Sequence, residues 1–176
     1  MDFCQEFKYL NDEENVFKEI QYEELSQLLD SFGSGLVIIG GSFSKHMQAI
    51  IKEVNDIAKR EGIEEVLVYN PRFINVFHEE EDLRDCLTLE NKLKYYYIVE
   101  KTGFKSDSLV RDTLIAKMDV PTFFAIKNGT CVDYFTSKYI KDPYIHLADD
   151  LEDRTLEFDM RLTSLIRRLK EKRKFD

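Results

Sequence analysis

Apolar positions along the chain change period several times, and each change predicts an element. Phe3, Phe7 and Leu10 recur at helical spacing, which predicts a short helix docking an aromatic stripe on the body; a frayed tail is the competing expectation. Val16 to Ile20 alternates apolar and charged residues, as a half-buried strand does. Leu25, Leu28, Leu29 and Phe32 then share one helical face between Tyr22 and Phe32, and Gly33-Ser34-Gly35 ends it. Leu36 to Ile39 is an unbroken aliphatic run, the pattern of a central strand buried on both faces. After Gly40-Gly41, Ser42 or Ser44 can cap a helix whose face is Met47, Ile50, Ile51, Val54, Ile57 and Ala58. Gly62 follows it, Val66 to Tyr69 reads as the next strand, and Asn70-Pro71 ends that strand.

The second half predicts more helix before the sheet resumes. Glu79 to Asp82 would open a helix at its dipole-favoured end. Leu89, Leu93, Tyr96 and Tyr97 would continue a packing face up to Gly103, and Ser106-Asp107-Ser108 would cap a further helix carrying Leu109, Val110 and Leu114. Thr122 to Ile126 is a strand headed by Pro121, and Asn128-Gly129 predicts a tight hairpin returning through Val132 to Phe135. Tyr139 to Asp149 reads as a loop. Leu151, Thr155, Phe158, Leu162, Leu165 and Leu169 mark one face of a long final helix. The alternation of strands and helices implies an α/β fold with parallel pairing and right-handed crossovers.

At 176 residues the chain suits one domain. The formal charge of −9 opposes nucleic acid and anionic membrane as main partners. No apolar run reaches membrane-spanning length, and the acidic N-terminus lacks a signal-peptide pattern, so a cytoplasmic protein is expected. Cys4, Cys86 and Cys131 are too scattered for a C-x-x-C pair and read as free thiols. The basic run from Arg167 to Lys174 reads as a helix C-terminus, with a partner-binding tail as the sharper alternative.

Leu36 to Met47, LVIIGGSFSKHM, together with Val120-Pro121-Thr122 and Lys127-Asn128-Gly129, resembles the thioredoxin-like superfamily. GGSF, QAII and YNPRF narrow the resemblance to a bacterial thioredoxin-like group with a helical insertion before its cis-proline strand. The resemblance implies a thioredoxin fold over the single domain 1–176, with a core at about 16–70 and 119–174 and the insertion at about 79–118. It also implies that Phe43 precedes the two cysteine positions, which here hold Ser44 and Met47. Thioredoxin chemistry needs a low-pKa thiolate and a second, resolving thiol. A hydroxyl and a thioether supply neither, so dithiol exchange at this site is expected to be absent.

The binding half of such a site would remain. Val120 would offer its backbone to an extended peptide, with Phe43, Met47 and Pro121 as an apolar patch and Lys45 and His46 beside it. The competing reading is that Pro121 only shapes the strand and Met47 is core. A protein or peptide partner is expected, with no cofactor and no metal. Two enzyme alternatives stand beside this: a glutathione-dependent activity with Ser44 at the helix N-terminus, or an oxidoreductase using Cys86 or Cys131 brought near by folding. Ser42-x-x-Lys45 and Lys101-Thr102-Gly103 also match two motifs of penicillin-binding serine enzymes, but the third motif of that set is missing between them. Ser44 and His46 are two residues apart and would face different sides of a helix, which opposes a dyad.

Overall fold

Side chains on successive strand residues point to opposite sides of a sheet. In β2 (Gly35–Ile39), Leu36 and Ile38 join one apolar core while Val37 and Ile39 join another. In β4 (Thr122–Lys127), Phe123 and Ala125 divide from Phe124 and Ile126 in the same way. Unbroken apolar strands are therefore central, and a core lies on each face. The computed structural model describes residues 1–71, 88–136 and 148–171, with the side chains of 148–155 outside the description.

The elements in chain order are α1 (Phe3–Glu6), β1 (Phe17–Ile20), α2 (Tyr22–Asp30), β2, α3 (Lys45–Arg60), β3 (Val66–Tyr69), α4 (Leu89–Thr102), β4, β5 (Thr130–Thr136) and α5 (Ala148–Lys170). The strands form one mixed sheet in the order β1-β3-β2-β4-β5. β3 pairs parallel with β1 and β2, β4 pairs antiparallel with β2, and β5 pairs antiparallel with β4. The protein is thus an α/β fold with a mixed sheet, five-stranded among the described residues, flanked by helices. Buried residues of α1, α3 and α5 share one core; those of α2 and α4 share the other. No helix among the described residues is long and apolar enough to cross a membrane.

The N-terminal helix is docked, not frayed: Phe3, Phe7 and Leu10 are buried, with Phe3 against Phe7 and Phe17. The hairpin also forms as expected, Asn128 and Gly129 both taking positive φ (53° and 76°) as a two-residue turn of this kind requires. Its tip docks under the end of α2, where Gly129 N–H donates to the Gly33 carbonyl at 2.7 Å. A methyl group on Gly129 would lie 2.8 Å from the Leu29 carbonyl oxygen, so glycine fits there for space as well as for φ.

Four expectations need correction. Phe32 is not on the packing face of α2: the helix ends at Asp30, Phe32 takes a left-handed φ of 58°, and its ring is exposed. Gly33 N–H returns to the Leu28 carbonyl across this turn, which satisfies a helix-end acceptor. In α4 the buried face is Tyr95, Ile98, Val99 and Thr102, whereas Leu89 and Leu93 are 74 % and 59 % exposed and Tyr96 lies outward with them. The segment after Ser106 is not a helix. Residues 108–117 fold back on themselves, with Val110 N–H on the Ile115 carbonyl and Lys117 N–H on the Ser108 carbonyl. Thr113 Oγ1 donates to the Val110 carbonyl and accepts from Ile115 N–H, local bonds that compete with a helix. Finally, Ala148 and Asp149 belong to α5 and not to the loop. Phe158, Leu162 and Leu165 of α5 are buried as its pattern predicts. The helix expected at Glu79 to Asp82, the loop over 139–147 and the basic residues beyond Glu171 lie outside the described residues.

Candidate functional site

The candidate site forms where β2 hands the chain to α3. Gly40 N–H donates to the Tyr69 carbonyl at 3.0 Å, the last bond along the sheet. Ser44 N–H then donates to the Gly41 carbonyl at 2.9 Å, closing a turn that delivers Ser44 to the N-cap of α3 in an extended conformation. Its hydroxyl accepts from Met47 N–H at 3.1 Å, the bond a capping serine makes. The same hydroxyl donates to the Val120 carbonyl at 3.4 Å, across 76 residues of sequence. Ser44 is only 2 % exposed. Between Ser42 and Ser44, the sequence left the cap open; Ser44 takes it.

Gly40 sits at the crossing of the two halves. A methyl group built there would lie 2.7 Å from Met47 Sδ, 3.3 Å from Pro121 Cβ and 3.4 Å from Val120 Cγ1. Glycine is the residue that lets these side chains close over the strand end. The Val120–Pro121 peptide bond is cis, and Thr122 Oγ1 donates to the Asp119 carbonyl across the turn. The structure thus brings Ser44, Met47, Val120 and Pro121 together. It does not leave them on the surface. Met47 is 1 % exposed and belongs to the core, and Val120 and Pro121 are buried. The apolar patch expected from Phe43, Met47 and Pro121 is therefore reduced to Phe43, which is half-buried. Lys45 and Asp119 are exposed beside it, and His46 is half-buried. A groove of about 630 Å³ opens on the Asp119 side, lined also by Lys105, Tyr134, Thr136 and Arg161.

Two contacts here carry no signal in the sequence. Gln48, one turn into α3, donates through Nε2 to the carbonyls of Ser42 (2.8 Å) and Glu6 (2.9 Å), while its Oε1 accepts from Lys8 N–H at 3.0 Å. Ser42 Oγ donates to the Glu6 carboxylate at 2.9 Å. These bonds clamp the N-terminal segment across the loop before α3. On the other face, buried Tyr95 donates its hydroxyl proton to the Ala116 carbonyl and accepts from Met118 N–H, at 2.8 and 2.7 Å. That pins the approach to Val120. Both links join residues far apart in sequence, which periodicity cannot reveal.

The chemistry available is narrow. Ser44 has its proton on a carbonyl and its lone pair on a backbone N–H. Among the described residues His46 Nδ1 is buried without a hydrogen-bond partner, and the Ser44 hydroxyl is spent on Val120 and Met47, which opposes a dyad between them. Ser42 is committed to Glu6, and Lys101 lies by the Tyr97 ring, 3.8 Å from Asp30 on α2, so the two motif fragments serve separate places. Cys131 is a free, half-buried thiol whose pKa burial pushes up to about 12, which keeps it protonated and a poor nucleophile at neutral pH. Cys4 is also free and donates to the Asp12 carbonyl. Cys86, His78 and His146 lie outside the described residues. Among the described residues no group of three or more His, Cys, Asp or Glu side chains is placed to hold a metal ion.

No protein-family model matches the chain, and no curated protein matches it.

Proposed function

We propose that the protein is a redox-inactive member of the thioredoxin-like superfamily, with the thioredoxin fold and a helical insertion before β4. In this reading it engages a protein or peptide segment without exchanging disulfides. Support for the fold comes from the strand order, the single turn from β2 into α3 and the approach of Val120 to the α3 N-terminus. The observation that carries the functional reading is the commitment of the Ser44 hydroxyl. At the place where the family holds an attacking sulfur, this chain has a buried cap bonded to Met47 N–H and the Val120 carbonyl.

The same bond speaks against the glutathione alternative, since the proton that would steady a thiolate already points at Val120. It also changes the expected mode of binding. The Val120 carbonyl is engaged from within, and Val120 and Pro121 are covered. A partner segment would therefore be held by the rim that remains accessible, Phe43, Lys45 and Asp119, and by the groove beside Asp119. The elevated thiol pKa of Cys131 opposes an oxidoreductase built on that residue.

A cellulose-bound peptide array probed with wild-type protein and with Phe43→Ala and Lys45→Ala tests the proposal. Peptides bound by the wild type and lost by both variants are expected. An array with no binders, or with binders indifferent to both substitutions, contradicts it.

A further inference from the structure

On the seam between α3 and α5 the chain gathers positive charge. Arg60, Arg167, Arg168 and Lys170 line one open groove of about 790 Å³, in a protein of formal charge −9. The acidic groups nearby sort these cations. Asp159 holds Arg60 through two bonds of 2.8 and 2.9 Å. Lys170 donates to the Glu61 carbonyl oxygen, and Glu171 also lines the groove. Arg167 meets the Glu61 carboxylate through Nε at 3.2 Å, and its side chain is 74 % exposed. Arg168 is 3.9 Å from Asp133 and 55 % exposed. Two guanidinium groups on adjacent residues are thus largely exposed, and Ser164 adds a hydroxyl to the same lining. A guanidinium fork matches a carboxylate in shape and charge.

We propose that this groove docks an acidic segment of a partner protein, with its carboxylates on Arg167 and Arg168. The stretch of α5 that lines it runs from Asp159 to Lys170, about 16 Å at the helical rise, which suits a short segment. The formal charge of −9 on the whole chain opposes a longer polyanion such as a nucleic acid as the partner. The inference is independent of the Ser44 site.

Fluorescence anisotropy with a dye-labelled oligoglutamate peptide, at low and at physiological salt, tests it. Saturable binding that weakens with salt is expected, with about a tenfold loss in the double variant Arg167→Gln/Arg168→Gln. Thermal unfolding of that variant should match the wild type, because both side chains are exposed. No saturable binding, or an affinity the double variant leaves unchanged, overturns the proposal. A labelled single-stranded oligonucleotide forms the second arm. Weaker binding than oligoglutamate supports an acidic protein segment; equal or tighter binding overturns it in favour of nucleic acid.

Discussion

Ser44 shows how one side chain can tie two distant parts of a fold together. Its hydroxyl satisfies one helix-end N–H and one turn carbonyl, both shielded from water. Ser44→Ala should therefore cost about 1 kcal/mol for the cap, with a further loss from the unpartnered Val120 carbonyl, read as a lower urea midpoint. An unchanged midpoint would show that the hydroxyl is not capping. Glu53 is the opposite case. Among the described residues its Oε2 is buried without a partner, and burial is the main cause that raises its carboxyl pKa. A carboxylate raised in the fold binds its proton more tightly there than in the unfolded chain. The penalty is therefore absent below the ordinary glutamate pKa, grows as pH rises through the folded value, and is fully present above it. Glu53→Gln should raise the urea midpoint at neutral pH, and the gap from wild type should shrink on acidification toward the ordinary glutamate pKa. A gap constant across that window would contradict the assignment.

The elements differ in how plainly they were written. α3 and the α5 face were legible because one apolar stripe stands against a polar remainder, leaving a single way to pack. α4 carries apolar residues on both sides. Leu89, Leu93 and Tyr96 form one stripe and Tyr95, Ile98 and Val99 another, so periodicity gives a helix without giving its inward face. What decides is Tyr95, whose ring fills the core and whose hydroxyl finds the Ala116 carbonyl and Met118 N–H. Tyr95→Phe keeps the packing and strips both partners, leaving buried groups unsatisfied. About 2 kcal/mol of stability should be lost, and the Met118 amide should exchange faster with solvent. Retained protection at Met118 would mean that the segment before Val120 is held by other means.

For the molecule as a whole, the sheet was readable because β2 and β4 are apolar without interruption, and the Asn128-Gly129 turn fixes how β5 returns. The candidate site was readable only in part. The sequence pairs Phe43 to Met47 with Val120-Pro121, and of these Met47, Val120 and Pro121 meet at Gly40 while Ser44 bonds the Val120 carbonyl. It could not show that Met47 and Pro121 are covered, that Ser44 reaches the Val120 carbonyl, or that Gln48 ties the N-terminal segment across the loop. Those outcomes depend on how two cores and a chain end close around one corner of the sheet. The function proposed for that corner requires that it exchange no disulfides. Insulin reduction in the presence of dithiothreitol, followed as turbidity, measures this most directly. Purified protein should give no rate above the dithiothreitol background, and reduction at a thioredoxin-like rate would contradict the account.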